Sequence, residues 1–375
     1  MRIAVNTRFL LKGKLEGIGW FTHQTLHRMV LAHPEHEFIF IFDRPFHSDY
    51  IFAKNVIPIV VGPPARHPIL WWIWFELRIP AILKKYKADV FLSTDGFASL
   101  RTKVPQCLVI HDLAFVHYPQ YIPKLICKYL IHYTKKFANN VEKIITVSTN
   151  THDDVIATYQ LPTEKVDIVF NGAHDVYQPI SFDEKQITKD KFTHGANYFI
   201  YAGSLHPRKN IVNLLKAFAQ FKRMTNSAMK LLLVGRLAWL TKEIEQALEQ
   251  HPYKQDVIRI EYMDAHDLSA VIGAAYAMVY VSIFEGFGIP VLESIKCNVP
   301  VITSNTTSMP EVGGNACILV NPLDATDIAN AMKKIYTDEN YRNQLIANCP
   351  AQAAKFDWNK STEKLFTIVS SLVKK

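Results

Sequence analysis

Short apolar runs alternate with amphipathic stretches along all 375 residues of the chain. The runs at 2–6, 37–42, 89–92, 106–110, 143–147 and 165–170 read as strands, as do those at 198–201, 230–234, 257–260, 277–283, 299–302 and 317–320. Most are β-branched and bounded by polar or turn residues. Helices fit between them; in 209–225, Ile211, Leu214, Leu215, Phe218 and Phe221 share one face. This alternation predicts an α/β fold with parallel sheets. The length exceeds what one core usually holds, so two domains are expected. A break is expected between 172 and 198, where Asn171-Gly172, Pro179, a charged stretch (SFDEKQITKDKF) and Gly195 precede a new strand series. The expected division is 1–180 and 181–357.

Composition narrows the class. Apolar content of 49% with 20% charged residues is that of an ordinary globular chain, and there is no Gly/Ser-rich segment or internal repeat. Cys107, Cys127, Cys297, Cys317 and Cys349 are dispersed and odd in number, with no C-x-x-C, which predicts free thiols in a reducing compartment. The opening MRIAVNTRFLLKG reads as a first buried strand rather than a signal peptide. The run ILWWIWF at 69–75 is far shorter than the ~20 residues of a membrane span. Residues 1–140 carry 18 Lys and Arg against 9 Asp and Glu, so the whole net charge of +8 resides there. That asymmetry suggests an anionic partner, with nucleic acid or an anionic membrane surface as candidates.

Two segments carry chemistry. Residues 284–293 read FEGFGIPVLE, placing Glu285 in a Gly-Phe-Gly turn after a strand and Glu293 two turns into a helix. Gly286 and Gly288 permit the bend, and Ile289-Pro290 opens the helix. A strand, a glycine turn and a helix N-terminus together make an anion-binding corner. The plain alternative is a pair of solvated carboxylates, which leaves the glycines and proline unexplained. Residues 198–210 read YFIYAGSLHPRKN, in which a strand ends, Gly203 turns, and Arg208-Lys209 precede a helix expected from Asn210. Two cations there oppose the helix dipole unless a polyanion such as a diphosphate lies between them. Here the plain alternative is a solvated basic turn.

The first segment resembles the E-x7-E signature of retaining glycosyltransferases of the GT4 family, and the second its strand, glycine and Arg/Lys pair. Ser204 stands where many members carry arginine. Glu16-Gly17-Ile18-Gly19-Trp20 resembles the family's glycine loop, with Glu16 in place of a common glycine. His111-Asp112 after a strand, Asn171-Gly172, SNTTSMPE at 304–311 and Gly313-Gly314 extend the resemblance over nearly the whole chain.

The resemblance implies a GT-B fold: two Rossmann-like domains facing an interdomain cleft, the first for the acceptor and the second for a nucleotide-diphosphate sugar. It implies that a last helix, 358–375, packs back on the first domain. Glu293 would meet the ribose hydroxyls, Glu285 the sugar hydroxyls, and Arg208 and Lys209 the diphosphate. Backbone groups from Gly286 to Ile289, with Gly17, Gly19 and Gly203, would line the donor, and His111 would face its sugar. The expected reaction is hexosyl transfer with retention to a glycan or lipid-linked glycan in cell-surface polysaccharide synthesis. The pattern around GSLHPRKN and FEGFGIP points to GDP-mannose. No metal or other cofactor is expected, since there is no Asp-x-Asp pair and His111 and His117 have no ligand set at zinc spacing. Trp71, Trp72 and Trp74 beside Arg78, Lys84, Lys85 and Lys87 suggest a membrane-facing surface on a cytoplasmic enzyme; a core helix is the alternative. The rival functions are a phosphorylase or nucleotide-sugar epimerase of the same fold, and a basic nucleic-acid-binding protein. No nucleic-acid module is legible.

Overall fold

In the computed structural model, which describes residues 1–13 and 15–373, the strands form two parallel sheets. The first contains β1 (Arg2–Asn6), β2 (Glu37–Phe42), β3 (Val56–Val60), β4 (Val90–Ser93), β5 (Gln106–Ile110), β6 (Lys143–Thr146) and β7 (Val166–Ile168), in the order 3-2-1-4-5-6-7. The second contains β8 (Tyr198–Ala202), β9 (Lys230–Val234), β10 (Val257–Ile260), β11 (Ala277–Tyr280), β12 (Val301–Ser304) and β13 (Cys317–Val320), in the order 10-9-8-11-12-13. Both are doubly wound. Each reverses its strand order once, between β1 and β4 and between β8 and β11, the crevice where open α/β sheets bind ligands.

The chain divides into Met1–Asn171 with Asp357–Lys375, and Gly172–Phe356. The boundary comes earlier than expected because residues 172–180 pack on the second unit. Ser269 Oγ donates to the Val176 carbonyl at 2.8 Å, and Ile180 lies against Gly273 so closely that a Cβ there would meet Ile180 Cγ1 at 3.1 Å. In the first unit, the helix Trp358–Ser371 packs on the helix Gly17–Ala32, with Trp358 edge-on to Phe21 at 6.0 Å.

Most expected strands form, with shifted ends, and each difference has a local cause. β3 contains Pro58 within VIPIV; an edge strand can accommodate a residue that has no N–H, and β3 lies at the sheet edge. β11 stops at Tyr280 rather than Ile283 because the backbone beyond it finds other partners. Asn210 Nδ2 donates to the Val281 carbonyl at 3.0 Å, Ser304 Oγ to Ser282 at 2.5 Å, and Ile283 N–H to the Arg208 carbonyl at 2.9 Å. The helix expected from Asn210 begins at Ile211, with Asn210 left-handed at φ 62°. Its apolar stripe is fully buried.

The tryptophan run does not form a surface. Trp71 and Trp74 lie in the first unit's core with Phe75, Phe97, Tyr129 and Phe137, and their indole N–H groups donate to the carbonyls of Ala65 (2.7 Å) and Val61 (2.8 Å). Only Trp72 is partly exposed, under the Arg101 guanidinium at 5.2 Å. The core reading of this segment holds for Trp71 and Trp74, while Arg78, Lys84, Lys85 and Lys87 remain solvated. All five cysteines are buried and free.

Candidate active site

The two segments singled out by sequence meet at the switch point of the second sheet. The turn after β8 carries Gly203, Arg208 and Lys209; the turn after β11 carries Glu285, Gly286 and Phe287. Glu285 is buried and receives Arg208 Nη1 at 3.2 Å on one oxygen and Lys209 Nζ at 2.5 Å on the other. Tyr280 Oη donates to the same carboxylate at 3.1 Å and accepts from Lys209 at 2.7 Å. Arg208 also donates to the Phe284 carbonyl. Burial alone would raise the Glu285 carboxyl, but the charges of Arg208 and Lys209 outweigh it and bring it down to about 2. The basic pair is thus neutralised in part by an internal anion.

The backbone here admits no other course. Gly288 caps the helix Ile289–Lys296 at φ 95°, a left-handed conformation, and a Cβ would lie 2.2 Å from Met309 Cε. Ser308 Oγ holds the turn by donating to the carbonyls of Glu285 (3.0 Å) and Phe287 (2.9 Å). Phe287 is buried edge-on to Phe356 at 5.3 Å. On the other side, Gly203 (φ 144°) lies under Gly235 (φ 150°), where a Cβ would sit 1.8 Å from the Gly203 carbonyl oxygen.

Glu293 stands apart from that cluster. It is half-buried on the second turn of its helix, and its partner is the Tyr177 hydroxyl. Burial pushes its carboxyl up to about 7, against the opposing hydrogen bond from Tyr177. The two carboxylates of the E-x7-E segment therefore sit in opposite electrostatic environments.

In the first unit, His111 follows β5 with its Nε2 2.8 Å from the Thr94 carbonyl and its ring edge-on to Phe21. A carbonyl can only accept, so Nε2 carries the proton. Burial lowers the imidazole pKa, against the opposing pulls of Thr94, Asp112 and Asp95, and the ring is neutral near pH 7. At that sheet's own switch point, Arg8 after β1 and Asp95 after β4 form a buried ion pair, with Arg8 also donating to the Ala65 carbonyl at 2.9 Å and lying over Phe97 at 4.3 Å. Gly19 passes so close to the Phe9 carbonyl that a Cβ would be 2.9 Å away, and Gly17 opens the same helix.

The structure thus brings together Arg208, Lys209, Glu285 and the 286–289 backbone, sets Glu293 on the adjoining helix, and keeps His111, Gly17 and Gly19 in the other unit. Sequence reasoning missed Tyr177, Tyr280, Gly235 and the Arg8–Asp95 pair. A glycine after a strand, as in LLLVGR, could have flagged Gly235. The tyrosines and the ion pair carry no local pattern.

The opposite carboxylates give opposite pH signatures. Glu285, lowered when folded, stabilises above its unfolded pKa of about 4.5, and that contribution is lost as pH falls towards 2. Glu293, raised when folded, contributes fully below about 4.5, and its contribution is lost as pH rises through about 7. Glu293→Gln is therefore expected to melt higher than wild type above pH 7, with the difference vanishing below pH 4.5. A melting series from pH 4 to 8.5 reads this directly.

Comparison with known proteins agrees with this architecture in both units. The family model described as Glycosyltransferase Family 4 matches residues 17–175, and that described as Glycosyl transferases group 1 matches 182–352. The O-antigen chain mannosyltransferase B of Escherichia coli is 30% identical over 67% of this chain and 66% of its own length, so the chain spans just under two thirds of that relative. The O-antigen chain mannosyltransferase RfbU of Salmonella typhimurium is 27% identical over 77% of this chain and 79% of its own. Among solved structures, HepE from Anabaena in complex with UDP and glucose superposes with a TM-score of 0.77 at 16% identity, covering 99% of this chain and 100% of that one. WaaG, a glycosyltransferase involved in lipopolysaccharide biosynthesis, gives 0.77 at 16% identity over 98% of this chain and 99% of its own. At these identities the likeness concerns the fold. With each of its two doubly wound units matched by its own family model, the chain belongs to the GT4-type, group 1 glycosyltransferases of GT-B fold.

Proposed function

We propose that this chain is a retaining hexosyltransferase that takes a nucleotide-diphosphate sugar, GDP-mannose foremost, and glycosylates a glycan or lipid-linked glycan in cell-surface polysaccharide synthesis. The observation that carries this reading is the Arg208–Glu285–Lys209 cluster at the β8/β11 switch point. A donor diphosphate would compete with Glu285 for the two cations and release its carboxylate to accept from sugar hydroxyls. Glu293 would exchange its bond to Tyr177 for the ribose hydroxyls. The mannose preference is supported by the two O-antigen mannosyltransferase relatives.

The demanding step is loss of the diphosphate as the glycosidic bond breaks. Arg208 and Lys209, held in place before the donor arrives, would stabilise the charge that develops on the leaving oxygen, and no divalent metal is required for this. Neutral His111 would act as a hydrogen-bonding rather than a cationic group.

A peripheral site at the inner face of the cytoplasmic membrane is part of this proposal, on a surface other than the tryptophan run. The helix Lys124–Asn140 contains no acidic residue and exposes Leu125 and Ile131 among Lys124, Lys128, Lys135 and Lys136. Exposed aliphatics within a basic field suit an anionic headgroup layer. No helix among the described residues is long and apolar enough to cross a membrane.

Thermal stabilisation by GDP, UDP, ADP, dTDP and CMP, without metal, tests the donor. The matching nucleotide at ~100 times its Kd is expected to add about 2.7 kcal/mol, and to lose that effect in Glu293→Ala. UDP in place of GDP would move the donor to glucose, galactose or their N-acetyl forms; no response to any of them would overturn the donor site. Lys209→Ala is expected to lower turnover by ~10²–10³ in a folded protein, and near-wild-type transfer would remove Lys209 from catalysis. In liposome flotation, binding to anionic vesicles at low salt should weaken by ~1 kcal/mol for each of Lys128, Lys135 and Lys136 replaced by glutamine. Absence of binding by the wild type would exclude this surface.

A further inference from the structure

The turn between the helix Gly17–Ala32 and β2, read His33-Pro34-Glu35-His36, belongs to none of the machinery above and has a geometry of its own. His33 Nδ1 and His36 Nε2 each lie 3.4 Å from the same oxygen, Glu35 Oε1. All three ligand atoms fall within 4.8 Å of one another. We propose that His33, Glu35 and His36 form a binding site for a single Zn2+ ion.

The distances fit that ion. Tetrahedral Zn2+ has bonds of about 2.0–2.1 Å to imidazole nitrogen and carboxylate oxygen, which places its ligand atoms about 3.3–3.4 Å apart. Two of the three edges already have that length. Two nitrogens and one oxygen suit zinc rather than calcium or magnesium, which take oxygen ligands. Three protein ligands leave a fourth position for water. The side chains are 26%, 58% and 17% exposed in chain order, so an ion can enter without opening the fold.

The ligands are held from three sides. The backbone closes a turn, with His36 N–H donating to the His33 carbonyl at 3.2 Å, and Pro34 restricts the chain between the histidines. Asn55 Nδ2 donates to that carbonyl as well, at 3.2 Å. Phe366, on the last helix, stacks on the His33 ring at 3.4 Å and 14° and on the His36 ring at 5.6 Å and 21°. The two imidazoles are thereby kept within 11° of parallel. Much of the ordering that a metal would impose on flexible side chains is therefore already present. A bound ion would join the end of one helix and the start of β2 to the helix that carries Phe366.

The contrasting state is an ion-free cluster in which the imidazole nitrogens face Glu35 with no metal between them. Titration of the full chain, free of any histidine tag, with Zn2+ by calorimetry separates the two, with Co2+ as a visible-absorbing probe of tetrahedral geometry. We expect one saturable Zn2+ site, tetrahedral-type Co2+ absorption, and a rise in melting temperature with metal. His33→Ala and His36→Ala, each verified as folded by circular dichroism, are expected to weaken Zn2+ binding by more than about 10-fold, since loss of even an outer partner commonly costs that much. Phe366→Ala, which keeps all three ligands, is expected to weaken it less. No saturable site, or wild-type affinity retained in either histidine variant, would overturn the proposal. The donor nucleotide response depends on none of these residues, so failure here leaves that reading untouched.

Discussion

The Glu285 carboxylate, held between Arg208 and Lys209, is the interaction that organises the second unit's ligand-facing edge. It joins the turn after β8 to the turn after β11 beyond the end of the β8–β11 ladder, beside the backbone bond from Ile283 N–H to the Arg208 carbonyl. Removing Glu285 would leave both cations without their shared counter-ion, a cost of about 3–5 kcal/mol. In the proposed donor site the same three groups would act by anion exchange, since a polyanion offering more oxygens than one carboxylate could take over the cations. On that proposal, stability without ligand and affinity for ligand would draw on the same charges.

That cluster stays in register only because the backbone around it has no freedom. Gly288 is excluded from bearing a side chain by its left-handed φ and by Met309; Gly235 by its positive φ and by the Gly203 carbonyl. Ser308 clamps the carbonyls of Glu285 and Phe287, and Asn210 fixes the chain as it leaves β11. Preorganisation of this kind is what electrostatic stabilisation of a leaving group demands, because reorientation during reaction would consume the benefit.

The first unit reaches a comparable edge by different means. Its switch point is closed by the Arg8–Asp95 pair, buried among Phe9, Phe75 and Phe97, and the neighbouring Thr94 carbonyl fixes the tautomer of His111. The aromatic run at 69–75 contributes Trp71 and Trp74 to this packing, which is why it is not a surface. Exposed aliphatics among cations occur instead on the helix Lys124–Asn140.

Local pattern alone determined a good deal of this protein. Strand-length β-branched runs, the stripe from Ile211 to Phe221, and the glycines and proline of FEGFGIP express backbone sterics and periodicity, which act over a few residues and can be read there. They were enough for an α/β fold with parallel sheets, whereas the GT-B class and the assignment of Arg208, Lys209 and Glu285 to one donor site rested on the family resemblance. Tertiary structure alone decided what depends on partners far apart in sequence. Pro58 is tolerated because its strand lies at an edge, Trp74 is buried because a core closes over it, and Glu293 is raised in pKa because burial removes its water despite the hydrogen bond from Tyr177. The His33–Glu35–His36 turn belongs to the same group: its residues are adjacent in sequence, but Phe366, more than three hundred positions away, holds the rings in line. Charge, burial and ring stacking are fixed by the whole fold, and no window of sequence contains them.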